Sequence, residues 1–255
     1  MKFEIVDLCF EYGKTEVLHN INVLLDDVGV CCLLGPNGSG KSTLIKCIMQ
    51  FYHSRGGIFY NNMPVDGMKQ EELATLFAYV PQDCKTSFSV TVFDLILLGR
   101  MPYMGWKPSE EDYDIVSQNI TLFGLERFAL KYLNQLSGGE RQKVMIAAAI
   151  CQNPQVLLLD EPTSSLDIKH QIEVMRHVKY ISEHQNTTVI VAMHDLNLAS
   201  QYSTHVVMLK NGCVFAQGVP KEVLTQKNIE QVYGIHAEIY QYGNVQHIVP
   251  TEVQE

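Results

Sequence analysis

A short stretch of the chain, LLGPNGSGKSTLIK from Leu33 to Lys46, combines an apolar run, a glycine-rich turn and a helical pattern with no spacer between them. The preceding residues VGVCC extend the apolar run, as expected of a parallel strand that is covered on both faces. The turn from Gly35 to Thr43 fits GxxxxGK[ST], in which glycines let successive backbone N–H groups face one anion. A helix that begins there adds its positive end. The stretch therefore predicts a strand, a phosphate-binding loop and a helix, in that order.

The predicted loop gives its polar side chains separate roles. Lys41 would reach the β- and γ-phosphates of a nucleotide, and Ser42 would ligate Mg²⁺. A glycine-rich turn without a ligand is the alternative, but every fixed position of the pattern and both flanking elements favour phosphate binding. The candidate nucleotide-binding residues of the loop are Gly35, Pro36, Asn37, Gly38, Ser39, Gly40, Lys41, Ser42 and Thr43.

A second apolar run, VLLLDE, ends in two carboxylates, Asp160 and Glu161. A triphosphate bound with Mg²⁺ needs a carboxylate at the end of a neighbouring strand, and Asp160 suits that contact. Glu161, one residue further on, points elsewhere and can polarise the water that attacks the γ-phosphate. An acidic turn without a function is the alternative. The ligand is then ATP or GTP, and kinase, GTPase and ATPase activities all remain open at this point.

Strand patterns alternate with helical patterns over most of the 255 residues, which indicates an α/β fold. The start of the chain reads instead as strands joined by a YGK turn, which predicts an antiparallel sheet at the edge of the core. From Lys85 to Cys151 only helices and turns are expected, so 85–151 is interpreted as a helical insert in a single domain whose core is 1–84 and 152–255. A short helix and two strands are expected after Lys221. The other predicted helices are Ser42 to Gln50, Thr91 to Leu98, Glu110 to Phe123, Glu140 to Gln152, Ile168 to Glu183 and Asp195 to Gln201.

Composition narrows the class of protein further. No apolar run approaches the roughly 18 residues that a membrane span needs, and the start lacks a secretory leader pattern, so we expect the chain to stay in the cytosol. Seven cysteines occur without a CxxC pair, which favours reduced structural thiols over a zinc or redox site. The net charge of -9 offers no basic footprint for a polyanion, so nucleic acid is not an expected partner.

The segment LSGGERQ, from Leu136 to Gln142, lies before a helical pattern and shortly before the acidic strand. Ser137, Gly138 and Gly139 would form a second helix start that can bind an anion. Because one chain then carries two phosphate-binding devices separated by helices, we expect one nucleotide to be held between two subunits.

Together these motifs resemble those of the ATP-binding-cassette ATPases, and the resemblance covers essentially the whole chain. It implies a P-loop NTPase fold with a RecA-like, mostly parallel core sheet, an N-terminal antiparallel β subdomain and an inserted α-helical subdomain. The matching pieces occur in the family's order: Tyr12 before GKTEVL, the phosphate loop, Gln82 in YVPQD, LSGGE, the acidic strand, SSLD ending at Asp167, and His194 in VAMHD.

The resemblance also implies ATP and Mg²⁺ as cofactors and a head-to-tail dimer, with each ATP between one phosphate loop and the partner's LSGGE segment. Tyr12 would stack on the adenine, Gln82 would sense Mg²⁺ and the attacking water, and His194 would hold the γ-phosphate. The implied catalytic residues are Glu161, His194, Gln82 and Lys41; the implied metal contacts are Ser42, Gln82 and Asp160; and Ser137, Gly138, Gly139 and Asp167 would act across the dimer.

Within the family, the uninterrupted insert and the single cassette favour a transport subunit over chromosome-type or ribosome-acting relatives. Its transmembrane permease subunits would be separate chains, and it would lie at the cytoplasmic face of the cell membrane, serving indirectly an extracellular or periplasmic substrate-binding protein. Segments such as SVTVFDLILLGRMPYMG and the ending VYGIHAEIYQYGNVQHIVP resemble the ATPases of iron-siderophore, haem and cobalamin importers. Importers of zinc, manganese or molybdate are the nearest alternatives, and a soluble ATPase acting on nucleic acid is a further one.

The helical insert, from Lys85 to about Leu133, is expected to carry the surface that docks onto the membrane partner. Its aromatic and methionine side chains exceed what a short insert needs for its own core, and such side chains are favoured in interfaces. The docking candidates are Phe88, Met101, Tyr103, Met104 and Trp106, whereas Phe93, Leu95 and Leu98 are expected to pack the insert.

Three histidines of one helix, His170, His177 and His184, repeat at a spacing of seven residues. At ~1.5 Å of rise per residue, neighbours in this row lie ~10 Å apart, too far for two of them to share a metal ion. A solvated helix face is therefore the favoured interpretation.

Overall fold

The structure, a computed structural model, describes residues 2–82, 89–243 and 245–253. Lys85 and Phe88, which are expected to belong to the insert, lie outside the described residues. The strands are β1 (Phe3–Tyr12), β2 (Thr15–Leu25), β3 (Val30–Leu34), β4 (Arg55–Tyr60), β5 (Met63–Pro64), β6 (Phe77–Val80), β7 (Val156–Asp160), β8 (Thr188–Ala192), β9 (His205–Lys210), β10 (Cys213–Gly218), β11 (Ile235–Tyr242) and β12 (Val245–Val253). The helices are α1 (Lys41–Ile48), α2 (Gln70–Leu76), α3 (Val92–Leu98), α4 (Glu110–Leu122), α5 (Gly138–Cys151), α6 (Ile168–His184), α7 (Leu196–Tyr202), α8 (Pro220–Val223) and α9 (Gln226–Tyr233).

The chain divides into two compact units, one formed by residues 1–68 and 178–255 and the other by residues 69–177. Helix α6 begins in the second unit and ends in the first. The domain boundaries expected from the sequence, 1–84, 85–151 and 152–255, remain a prediction. No helix in the described part of the chain is both long and apolar enough to span a bilayer.

The first unit contains two larger sheets and a C-terminal hairpin. Strands β1, β2, β4 and β5 form the antiparallel sheet expected at the start of the chain, where Phe3 pairs with Leu25 and Ile5 with Val23. In the other sheet β3 runs parallel to both β8 and β9, and β10 closes the edge antiparallel to β9. Every residue of β3 and β8 is buried, which is why both strands read as continuous apolar runs. Strands β11 and β12 form the hairpin.

The second unit pairs two parallel strands, β6 and β7, and carries helices α2 to α5. In its described residues 89–151 the only β pairing is an isolated bridge between Thr91 and Tyr132, so this part is helical as expected. Single-turn 3₁₀ helices occupy Glu126–Phe128 and Leu133–Gln135. Helix α2 was not predicted, because its seven residues bury only Leu76 and leave no amphipathic period to detect.

The segment after Lys221 differs from the sequence expectation. One short helix was predicted there, but α8 and α9 are separate helices. Leu224 leaves the helical region at φ -82° and ψ 63°, and the hydroxyl of Thr225 then caps a new helix by accepting from the backbone N–H of Asn228. The capping threonine was overlooked as a start signal.

A buried ion pair joins three helices of the second unit. Arg100 Nε donates to Asp112 Oδ1 over 2.9 Å, and Arg100 Nη1 donates to the carbonyl oxygen of Cys151 over 2.8 Å. The other carboxylate oxygen of Asp112 accepts from the backbone N–H and the hydroxyl of Ser109, at the start of α4. These bonds, above all the one from the Ser109 backbone, lower the pKa of Asp112 to about 2. Arg100 and Asp112 therefore connect the ends of α3 and α5 to the start of α4.

Asp112→Asn tests this connection through the pH dependence of stability. Because its folded-state pKa lies below the ordinary value of 3.8, Asp112 stabilises the fold above about pH 4 and loses that contribution as the pH falls toward about 2. We expect the variant to denature more readily than the wild type at neutral pH, since Arg100 stays buried without its charge partner, and the difference to shrink in acid. Urea denaturation across this pH range measures it, with the exposed Asp114→Asn as the matched control. A constant difference at every pH would contradict the assignment.

Candidate nucleotide-binding site

The predicted phosphate loop lies in the first unit, between the end of β3 and the start of α1. Gly35 and Gly40 adopt φ values of 149° and 104°, a region that side chains rarely allow. A Cβ atom would lie 2.3 Å from the carbonyl oxygen of Leu209 at Gly35, and 2.7 Å from a methyl of Leu18 at Gly40. Backbone conformation and space therefore both require glycine at these positions, so that the loop can turn tightly from strand to helix.

Lys41 is 5% exposed, and its ammonium group points back into the loop. Its Nζ donates to the carbonyl oxygens of Gly35 over 2.8 Å and of Pro36 over 3.2 Å. Ser39 is also buried, and its hydroxyl has no hydrogen-bond partner among the described residues. A buried cation and an unsatisfied hydroxyl in one glycine-rich turn are features that an incoming phosphate can satisfy.

Two tyrosines lie beside this loop, one predicted and one not. Tyr12 is 45% exposed, and its ring contacts Phe10 and Tyr52 edge-on, with centroids 4.8 and 5.5 Å apart. Burial raises the pKa of Tyr12, as does its hydrogen bond with Tyr52, whereas an interaction with the Thr43 side chain lowers it. The exposed ring of Tyr12 thus stays near the loop, where it could cover a base. Tyr52 could have been suspected from its place just after the helix that the loop begins.

His194 follows β8 at the same sheet edge as the loop. Leu33 pairs with Ala192, and the backbone N–H of Met193 donates to the carbonyl of Leu33, so both strands end together. Asp195 then caps α7 by accepting from two backbone N–H groups. The parallel pairing therefore brings His194, which is exposed, to the carboxyl edge from which the phosphate loop leaves.

In the second unit, the acidic strand end and Gln82 meet directly. Strand β7 buries all five residues and ends at Asp160, which is 3% exposed. Val80 pairs with Leu159, so Gln82 and Glu161 both lie two residues beyond that pair. Gln82 Nε2 donates to Glu161 Oε2 over 2.9 Å. Glu161 has φ 48°, a left-handed conformation that turns its side chain away from the direction of the strand.

The LSGGE segment starts helix α5 with reciprocal capping. The Ser137 hydroxyl accepts from the backbone N–H of Glu140, and the Glu140 carboxylate accepts from the backbone N–H and hydroxyl of Ser137. These bonds, led by the one from the Ser137 backbone, lower the pKa of Glu140. Gly139 is buried, and a Cβ atom there would lie 2.6 Å from Cγ of His170. The helix start is therefore closely covered by a histidine of α6.

The histidine row of α6 is only partly the solvated face expected from the sequence, since His184 is exposed but His170 and His177 are half-buried. His170 binds Asp167, His177 packs on Phe123 with ring centroids 4.4 Å apart, and His184 stacks on Tyr180. Burial is the main cause that lowers the pKa of His177. The described residues contain no cluster of three or more metal-binding side chains.

Comparisons with known proteins identify the family to which this chain belongs. A family model described as ABC transporter matches residues 18–164, more than half of the chain. This chain belongs to the ABC transporter family. It is 45% identical over 242 residues to an uncharacterized ABC transporter ATP-binding protein of Methanocaldococcus jannaschii, with 94% of each chain covered. It is also 38% identical over 249 residues to the petrobactin import ATP-binding protein FpuC of Bacillus anthracis, covering 96% of this chain and 92% of the relative.

Solved structures of ABC transporters confirm the predicted fold class. A structure described as an inward-facing, metal-chelate type ABC transporter matches with a TM-score of 0.85 at 28% identity, covering 98% of this chain and 96% of the other. A dimeric ATP-binding cassette in a post-hydrolysis state, bound to ADP and phosphate, matches with a TM-score of 0.75 at 28% identity, covering 86% and 98%. The chain is thus an α/β P-loop NTPase, and its family is one of ATP-binding cassettes.

In this ABC transporter chain, each unit brings together a separate group of the predicted residues. The first places the phosphate loop and His194 at one sheet edge, with Tyr12 beside the loop. The second places Gln82 against Glu161, and the helix that follows Asp167 against the start of α5. The roles assigned to these residues remain predictions.

Gly139→Ala tests how closely His170 covers the start of α5. A Cβ atom would overlap the imidazole, so we expect a lower urea midpoint in the wild-type background. In a His170→Ala background the ring is absent, and the same change should be neutral or stabilising by up to ~1 kcal/mol, because alanine favours helix more than glycine does. Gly138→Ala is the matched control, since a Cβ atom there meets nothing within 4 Å. Equal destabilisation in both backgrounds would disprove the contact.

Proposed function

We propose that this chain is the ATP-hydrolysing subunit of an importer and energises uptake of an iron chelate, such as a siderophore or haem, or of cobalamin. The observation that carries the catalytic part is the Glu161 carboxylate, which lies directly after a buried strand and 2.9 Å from Gln82. A carboxylate in this place can polarise the attacking water, while the neighbouring amide orients it. In this proposal Lys41 and His194 act on the γ-phosphate, and Tyr12 stacks on the adenine.

The residues proposed to hold Mg²⁺ offer the oxygen ligands that this hard cation prefers. They are the hydroxyl of Ser42, the side-chain oxygen of Gln82 and the carboxylate of Asp160, which is buried at the strand end. When bound, Mg²⁺ would neutralise charge on the β- and γ-phosphate oxygens. Metals that prefer nitrogen or sulfur ligands, such as zinc or copper, would suit this set less well, since all three donors are oxygens.

We further propose that two copies assemble head to tail, each ATP lying between the phosphate loop of one chain and Ser137, Gly138, Gly139 and Asp167 of the other. The similarity to a dimeric cassette supports this arrangement. So does the capped start of α5, because a helix N-terminus attracts the negative charge of a phosphate.

The transported substrate is proposed from similarity and not from contacts in this chain. A relative is named for petrobactin import, and a similar structure is described as a metal-chelate type transporter. Importers of zinc, manganese or molybdate remain the alternative. The proposal places the chain at the cytoplasmic face of the membrane, bound to permease subunits and acting indirectly with an extracellular or periplasmic substrate-binding protein. The net charge of -9 argues against nucleic acid as a partner.

Glu161→Gln should abolish most ATP hydrolysis and leave ATP binding intact, because the amide cannot polarise water but can still bond to Gln82. A nucleotide-dependent dimer should accumulate on size exclusion. Lys41→Ala is the contrast: it should weaken ATP binding itself, since it removes the charge proposed to face the phosphates. Measurements are steady-state turnover and nucleotide titration. Turnover near the wild-type rate in Glu161→Gln would remove Glu161 from the catalytic role.

A groove in the second unit fits the proposed permease contact. It encloses about 540 Å³ and is lined by Leu98, Met101, Met104 and Trp106 among others. Trp106 is fully exposed, and Met101 is 62% exposed. Leu98 was expected to pack the insert, but it is 48% exposed because it lies on the outer face of α3. Tyr103 is 44% exposed, and the Arg100 guanidinium lies 4.3 Å from its ring centroid. The groove presents apolar side chains that a membrane subunit could cover.

Changing both Met101 and Trp106 to Asp should abolish co-purification with the permease and substrate uptake, because two charges would enter an apolar contact. Basal ATP hydrolysis and the melting temperature should stay close to wild type, since both side chains are exposed. Leu130→Asp is the control, an equally drastic change at a residue of the same unit that is 86% exposed and does not line the groove. Wild-type uptake in the Met101 and Trp106 double variant would disprove the docking assignment. Loss of both folding and ATPase activity in that variant would disprove it as well.

A further inference from the structure

His170 joins two segments that the proposed function assigns to the partner's nucleotide. Its Nδ1 lies 2.8 Å from Oδ1 of Asp167, and its backbone N–H donates to the same oxygen over 2.9 Å. Because a carboxylate only accepts, Nδ1 carries the proton in this bond. The other side of the imidazole lies against Gly139, where even a Cβ atom would not fit. One side chain therefore contacts both Asp167 and the LSGGE segment.

Helices α5 and α6 are joined again one turn further along. Lys143, four residues beyond Gly139 on α5, binds Glu173, three residues beyond His170 on α6. The second contact lies further toward the C-terminus on both helices, so the helices begin side by side and run in the same direction. The N-termini of both helices, which carry partial positive charge, therefore lie on the same side. Ser137 caps α5, and Asp167 accepts the His170 N–H in the first turn of α6.

We infer that His170 is a positioning residue of the composite ATP site: its imidazole holds the Asp167 carboxylate at a fixed place beside Ser137 and Gly139. The two segments then reach the partner's nucleotide as one rigid unit. This inference rests on the head-to-tail dimer proposed above. His170 itself touches no phosphate; it acts through Asp167 and through the start of α5.

A purely structural role for His170 makes a different prediction. The Asp167 side chain is 67% exposed, and a polar contact that exposed contributes little to stability. If the contact only stabilised the fold, loss of activity would follow loss of stability. If the contact positions Asp167, removing the imidazole should lower turnover but leave the melting temperature and the KM for ATP unchanged. KM should not change because it depends on ATP binding to the chain's own phosphate loop.

A pair of amide substitutions separates the two nitrogens of the ring. The amide of Asn stands the same number of bonds from Cα as Nδ1, and the amide of Gln the same number as Nε2. His170→Asn can therefore keep the bond to Asp167, and His170→Gln cannot keep it in the same place. We expect kcat to fall about tenfold in His170→Ala and His170→Gln, to stay within about twofold of wild type in His170→Asn, and KM to change less than about twofold in all three. His184→Ala, on the same helix, is the control and should match wild type.

Mixed dimers test whether His170 acts on the partner's site. In a heterodimer of His170→Ala with Lys41→Ala, a trans role puts both defects into one site and leaves the other intact, so turnover should rise above that of either variant alone. A cis role leaves a defect in each site and gives no rise. Ser137→Arg mixed with Lys41→Ala calibrates the experiment, because it depends only on the head-to-tail arrangement.

The outcomes distinguish this inference from the function on which it rests. If the calibrating mixture gains turnover and the His170→Ala mixture does not, His170 does not act in trans and the inference fails. If the Ser137→Arg and Lys41→Ala mixture forms heterodimers but gains no turnover, the head-to-tail site is disproved, and the trans role of His170 is disproved with it. The Asn and Gln variants still decide whether His170 positions Asp167. An equal loss of kcat in His170→Asn and His170→Gln would overturn the positioning role. So would losses of kcat that occur only in variants whose melting temperature also falls.

Discussion

Strands β3 and β7 are buried over their whole length, and the placement of the polar site residues follows from that burial. A charged side chain cannot lie within either strand without a large desolvation cost, so polar chemistry begins only where each strand ends. In the first unit that point is the phosphate loop after Leu34, joined at the same edge by His194 after β8. In the second it is Asp160 at the last position of β7, followed by Glu161.

Three of the polar groups proposed to act on the nucleotide already have partners within the chain. Lys41 donates to loop carbonyls, Gln82 to Glu161, and the Ser137 hydroxyl takes part in a capping box. A phosphate or a water must replace these bonds with others at least as good, which favours highly charged ligands over neutral ones. The same bonds keep the site ordered before nucleotide arrives, which reduces the entropy lost on binding.

Sequence patterns predicted the parts of the site that are built from a few consecutive residues. The loop from Gly35 to Thr43, the acidic pair after VLLLD and the capped start at Ser137 each depend on residue types at fixed short spacings. The α/β class, the antiparallel start and the helical segment were likewise readable, because apolar periodicity reports local structure directly. Elements with weak periodicity were missed or merged, such as α2 and the break between α8 and α9.

The sequence by itself thus determined the fold class, the glycine-rich turn between β3 and α1 and the order of the motifs, whereas tertiary packing decided which side chains meet. Gly139 and His170 are 31 positions apart in the sequence, and no periodic pattern links them; they touch because α5 and α6 begin side by side. The contacts of Arg100 with Asp112 and Cys151, the ring of Tyr52 beside Tyr12, and the exposure of Leu98 arise in the same way. Local patterns follow from backbone geometry over a few residues, but contacts between distant segments depend on how helices and strands pack, which spacing along the chain does not encode.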